Sequence, residues 1–149
     1  MEFIVKTFDE LTTAELYEIL KVRSAVFVVE QKCAYQDIDG IDYHCVHMYY
    51  RDGNDIAAYL RAFYKEPDVV QIGRVMTMKR GAGLGGRLLH QALLEIEDHM
   101  PCRKIYLEAQ SYATGFYACE GFRITSDEFL EDGIPHRQME LILPLKQSH

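Results

Sequence analysis

The chain has 149 residues, the size of one domain, and such a chain buries roughly 70% of its unfolded surface, so no disulfide or metal staple is required. Its 48% apolar and 26% charged residues exclude a disordered chain, and its longest apolar runs, such as Ala25 to Val29, are far too short for a membrane helix. A formal charge of −7 disfavours nucleic acid and anionic membranes as partners, because both are bound through clustered Lys and Arg.

Glu2 to Phe8 alternates apolar and polar residues, as a half-buried first strand does. No basic stretch leads into an apolar one at Met1 to Lys6, so a cytoplasmic protein is expected. Thr12-Thr13-Ala14-Glu15 has capping-box spacing, and the apolar residues that follow predict a helix to about Phe27. After an irregular stretch, Cys45 to Arg51, Ile56 to Tyr64 and Val69 to Met78 read as an antiparallel meander with turns at Asp52-Gly53-Asn54 and Pro67-Asp68. A helix is expected from the Gly83 turn to about His99, its apolar stripe running from Leu84 to Ile96 and Pro101 ending it. Lys104 to Ala109 follows as a strand and Ala113 to Cys119 as a short helix, with Gly121 as a left-handed cap. Strands at Arg123 to Leu130 and His136 to Leu143 flank the turn Asp132 to Pro135. The order β-α-β-β-β-α-β-α-β-β predicts one α/β (α+β) domain over residues 1–149, with a mixed sheet of about seven strands and about four flanking helices. Cys33, Cys45, Cys102 and Cys119 are scattered without a C-x-x-C pair, so reduced thiols and no metal are expected.

Four glycines crowd Gly81-Ala82-Gly83-Leu84-Gly85-Gly86 between a strand and a helix. Their bare backbone lets several amides converge on an anion at the helix N-terminus, and a pyrophosphate is the natural guest. Read as G-x-G-x-x-G, with Glu108 some way downstream, the segment matches a dinucleotide fingerprint. The antiparallel meander before it and the strand-rich segment after it both oppose a doubly wound fold.

Read from Arg80, the same residues are R-x-x-G-x-G, and Phe116-Tyr117-Ala118-Cys119-Glu120-Gly121-Phe122 gives F-Y-x-x-x-G-F. In both the chain resembles the GNAT superfamily of N-acetyltransferases. Arg23 to Gln31, Tyr35 with Asp39-Gly40, Ile72 to Val75 and Glu131 to His136 look like its ElaA-like branch. The resemblance implies the GNAT fold, acetyl-CoA as cosubstrate and a small-molecule or peptide amine as acceptor, in a monomer or homodimer. It implies that Arg80, Gly81, Ala82, Gly83, Leu84, Gly85 and Gly86 hold the diphosphate, and that an amide within Val75, Met76 or Thr77 meets the thioester. It makes Tyr117 the acid for the departing thiolate.

A general base is chosen less sharply. Glu108 stands where some family members hold a carboxylate, while His47 and His136 titrate near neutrality and are rivals. Phe27, Glu30, Tyr35, Asp39, Asp42 and His136 are the expected acceptor residues, with the carboxylates drawing in a protonated amine. Direct attack in a ternary complex is preferred, and a catalytically silent acyl-CoA-binding module is the alternative.

Overall fold

The computed structural model describes residues 1–78 and 80–145. The chain forms two compact units, Met1–Phe63 with Arg74–Leu89, and Tyr64–Gly73 with His90–His149. Eight strands hydrogen-bond in the order β1-β2-β3-β4-β5-β8-β6, with β7 added on β8. They are β1 (Glu2–Thr7), β2 (Val46–Asp52), β3 (Asp55–Glu66), β4 (Val69–Thr77), β5 (Lys104–Gln110), β6 (Arg123–Ile124), β7 (Phe129–Glu131) and β8 (Ile134–Ile142). The α-helices are α1 (Thr13–Arg23), α2 (Leu84–His99) and α3 (Thr114–Ala118), three among the described residues where about four were expected. None is long and apolar enough to cross a membrane.

In the first unit β1, β2 and β3 are consecutive antiparallel neighbours, with a bulge between Tyr50 and Arg51. The capping box forms as expected: Thr12 N–H donates to Glu15 Oε1 at 2.8 Å and Glu15 N–H to Thr12 Oγ1 at 3.1 Å. Glu15 also receives Lys6 Nζ at 2.8 Å and the Tyr49 hydroxyl at 2.9 Å, tying the helix start to two strands. The predicted single helix to Phe27 instead changes pitch at Ser24 and continues as a π-helix to Glu30, where Gln31 N–H reaches back to Val26 O. Such wide turns re-aim side chains and are often found at functional sites. Ile19, Val22 and Val26 bury against Tyr49, Ile56, Tyr59 and Met76, with Ile4, Leu11 and Phe27 at the margin of this core.

In the second unit β5 and β8 pair antiparallel from Lys104↔Ile142 to Gln110↔His136, while β4 meets β5 in parallel over Val69–Gln71. The strand expected over Arg123 to Leu130 is split in two. Ser126 Oγ takes the Gln138 N–H at 2.9 Å and Thr125 N–H takes the Gln138 carbonyl at 2.9 Å, so a side chain replaces a ladder partner and pairing resumes only at Phe129. Asp132 and Gly133 both have positive φ, 51° and 76°, the two-residue turn that matches the twist of the β7–β8 hairpin.

Candidate active site

The glycine turn belongs to the first unit and is exposed. Gly81 and Gly83 have φ of 82° and 70°, and no atom lies within 4 Å of where a Cβ would stand on either. Both positions favour glycine and leave the approach to the backbone open. The α2 ladder begins with Arg87 N–H on Gly83 O at 3.2 Å, so the amides before it have no helical acceptor. Amides of residues 81 to 86 donate to no other described residue. The expected anion cradle is therefore open and its donors are unengaged. Arg80 at its edge forms an exposed ion pair with Glu30 at the end of the π-helix.

Upstream, Met78 N–H donates to Ala57 O of β3 at 2.9 Å. Alternation along an extended strand turns Met76 N–H the same way and sends Val75 and Thr77 N–H to the opposite edge. Of the three residues expected near the thioester, Val75 and Thr77 thus carry the outward-facing donors, while Met76 is buried in the core.

The acidic residues expected to attract an amine are already paired. Asp39 takes Arg61 through two hydrogen bonds, at 2.6 and 2.9 Å, and Asp42 takes Arg23 at 2.7 Å and Arg61 at 2.9 Å. Asp37 joins them, with Arg23 Nε at 3.1 Å and Arg74 Nε at 2.8 Å. Burial pushes the Asp39 carboxyl up, but Arg61 and the Ile41 amide outweigh it and hold it down to about 2. Three guanidinium groups thus balance three carboxylates, and the electrostatic pull expected of Asp39 and Asp42 is largely cancelled. Tyr35 joins the same group, donating to Asp37 Oδ1 at 3.0 Å with the Arg74 guanidinium 5.1 Å above its ring.

Arg23 and Arg74 entered the sequence reading only within segments that carry the family resemblance, and Asp37 and Arg61 did not figure in it. A signal was there: Arg61 stands alone in the apolar run Ala57 to Phe63, and a buried guanidinium requires carboxylate partners. Arg74 adopts φ of 54° within β4, a left-handed conformation uncommon for any residue but glycine. His47 is buried with both ring nitrogens occupied, Nδ1 by the Tyr59 hydroxyl at 2.6 Å and Nε2 by Asp42 O at 3.0 Å, and burial lowers its basicity. Nothing on that ring is left to accept a substrate proton.

The second unit carries Glu108, His136 and Tyr117. Glu108 on β5 accepts the Tyr106 hydroxyl at 2.6 Å. His136 on β8 donates Nδ1–H to Ile134 O at 2.7 Å and stacks on Phe129, while its Nε2 faces Glu131 Oε2 at 3.6 Å. The Glu131 carboxyl neighbours that of Glu108, and burial together with the Glu108 charge raises it above the usual carboxylate range. Two of the three candidate bases therefore share one neighbourhood, and Glu131 is the member that sequence reasoning passed over. Tyr117 sits in α3, edge-on to Phe116 and Phe122 at 5.0 and 6.0 Å. Its hydroxyl donates to no other described residue, and burial and the Tyr112 charge raise its phenol above the ordinary value.

An acetyltransferase (GNAT) domain model matches residues 11–143. A UPF0039 protein of Schizosaccharomyces pombe is 42% identical over 147 residues, 96% of this chain and 98% of its own. Protein ElaA of Escherichia coli is 39% identical over 134 residues, 86% of this chain and 88% of its own. Among solved structures, an acyl-CoA N-acyltransferase from Pseudomonas aeruginosa superposes with a TM-score of 0.88 at 36% identity, covering 94% of this chain and 99% of that one. Escherichia coli ElaA does so with a TM-score of 0.88 at 37% identity and the same coverage.

Proposed function

Because this chain belongs to the GNAT acetyltransferase family and is an acyltransferase of the acyl-CoA-dependent kind, we propose that it moves an acetyl group from acetyl-CoA to a primary amine by direct attack. The observation that carries the reading is the open Gly81–Gly86 turn, whose amides have no partner among the described residues and whose helix N-terminus favours a diphosphate. Arg80 is the side chain available to a phosphate once it leaves Glu30.

In this reading the amine nitrogen attacks the thioester carbon, and an outward-facing amide of Thr77 or Val75 steadies the oxygen as charge grows on it. One such donor is worth about 3 kcal/mol in a transition state. Glu108 takes the proton of the incoming ammonium, directly or through water, and the Tyr106 hydrogen bond orients its carboxylate. Tyr117 protonates the thiolate as the C–S bond breaks. Its hydroxyl has no competing acceptor among the described residues, so its proton is available to the departing sulfur.

Phe27, Glu30 and Tyr35 are the proposed acceptor residues, with His136. Asp39 and Asp42 have a different part in it: paired with Arg23 and Arg61, they hold the segment that bears Tyr35. A cytoplasmic setting belongs to the same reading.

The test is thermal unfolding with acetyl-CoA, with NAD as the control. Saturation at a hundred times Kd adds about 2.7 kcal/mol, so acetyl-CoA should raise the midpoint by several degrees and NAD should leave it in place. Stabilisation by NAD alone would return the glycine turn to its dinucleotide reading and end the assignment.

A further inference from the structure

Asp37 is buried, and all three of its acceptor oxygens are taken. Oδ1 accepts from Arg74 Nε at 2.8 Å and from the Tyr35 hydroxyl at 3.0 Å. Oδ2 accepts from Arg23 Nε at 3.1 Å, and the carbonyl accepts from Arg23 and Arg74 at 2.9 and 3.2 Å. Because Arg23 is fully buried and is also bound to Asp42, it ties Asp37 to the core of the first unit. Arg74 hangs on that anchor, with a longer bond to Asp39 at 3.4 Å and its guanidinium over the Tyr35 ring.

Arg74 is also where β4 leaves regular geometry. In Ile72-Gly73-Arg74-Val75 the glycine could take a positive φ freely, yet the left-handed residue is Arg74 and not Gly73. A side chain persists in that conformation where its surroundings over-determine it, and here the surroundings are Asp37, Asp39 and Tyr35. A left-handed residue breaks the alternation of an extended strand and re-aims its neighbours. The edge on which Val75 and Thr77 present their N–H groups is therefore set at Arg74.

Resting on the amine-acetylating reading above, we propose that Asp37 and Arg74 are positioning residues: Asp37 holds Arg74 in its left-handed turn, and that turn aims the Val75 and Thr77 amides at the thioester carbonyl. Neither side chain acts on the reacting atoms itself. The carboxylate oxygen that holds Arg74 also holds the Tyr35 hydroxyl, so one group fixes the acyl side of the site and an acceptor residue together. Glycine at position 74 would reach the same φ but would be as free to leave it. An arginine fastened to a buried carboxylate stays in place, as a preorganised oxyanion donor requires.

The experiment compares Arg74→Ala with Arg74→Gly. Both remove the same ion pairs, but only glycine takes a positive φ without strain. The carbonyl stretch of acetyl-CoA, carbon-13 labelled at the acetyl carbonyl, is read by difference infrared spectroscopy at saturating ligand with no acceptor amine present. In the wild-type protein the stretch should lie below that of free acetyl-CoA, as it does when a carbonyl accepts a hydrogen bond. Arg74→Ala should lose at least about half of that shift, and Arg74→Gly should keep most of it. Equal shifts in the two variants, kept or lost, overturn the proposal, since a merely structural ion pair is missing from both. Asp37→Asn, which preserves the shape of the buried side chain, decides the matter if Arg74→Ala does not fold. In that variant, free of ligand, the backbone carbon-13 shifts of Arg74 should move toward those of an extended residue, and unmoved shifts overturn the proposal. Acetyl-CoA that stabilises the wild-type protein without any carbonyl shift overturns this inference alone, whereas no stabilisation at all ends the parent reading and this inference with it.

Discussion

Tyr117 occupies the second position of Phe116-Tyr117-Ala118-Cys119-Glu120-Gly121-Phe122, and the Gly121 φ of 101° closes the short helix that presents it. A Cβ at Gly121 would meet Leu141 Cδ1 at 3.2 Å, so the glycine serves both the turn and the packing behind it. Since the Tyr117 ring is held edge-on between Phe116 and Phe122, removing only the hydroxyl leaves that packing intact. Tyr117→Phe should therefore lower kcat by about a hundredfold while acetyl-CoA affinity, measured by calorimetry, stays within about twofold. Wild-type turnover in that variant would remove the acid role from Tyr117. The motif alone marked this residue, whereas Glu131 entered only within the segment Glu131 to His136, where nothing signals its nearness to Glu108 on a different strand.

The segment between the π-helix and β2 shows how an element with little regular structure is held in place. Arg23 from α1, Arg61 from β3 and Arg74 from β4 converge on Asp37, Asp39 and Asp42, spaced two and three residues apart. The Arg23 side chain is fully buried, so its removal leaves two carboxylates short of a partner in a poorly solvated place. Arg23→Met should lower unfolding free energy by about 3 kcal/mol in urea titration, although the methionine fills much of the same volume. A change below about 1 kcal/mol would show that Arg61 and Arg74 suffice. Arg61 Nε has no hydrogen-bond partner among the described residues, which makes this cluster a fastening built under geometric compromise rather than an ideal network. Sequence reasoning marked Asp39 and Asp42 as acceptor residues that draw in an amine, whereas the guanidinium groups that pair with them are remote in the chain.

At the scale of the whole molecule, stability against acid follows from which carboxyls the fold depresses. The Glu15 carboxyl is pushed up by burial but brought down to about 2 by Lys6, the Thr12 amide and Tyr49, and Asp39 is likewise brought down to about 2. Both lie below their unfolded values of 4.5 and 3.8, so each stabilises the fold above that range and ceases to do so as pH falls toward about 2. Glu131 has the opposite sign: raised in the fold, it favours the native state at low pH and loses that contribution as pH rises. The urea midpoint should thus fall between about pH 5 and pH 2, and Glu15→Gln should flatten the fall while lowering the plateau by about 2 kcal/mol. An equally steep fall in Glu15→Gln would show that other carboxyls govern acid unfolding. Local information was enough for most of the fold, because strand alternation, the Thr12 capping box, Pro101 and the paired turns each act within a few residues. It was enough for the open glycine turn too, since positive φ and unengaged amides are properties of the Gly81–Gly86 segment itself. Tertiary structure alone decided the strand break at Ser126, the neutralisation of Asp39 and Asp42, and the meeting of Glu108, Glu131 and His136. Each depends on a hydrogen bond or charge supplied by another element, and pairings between distant segments leave no periodic trace in either partner's sequence.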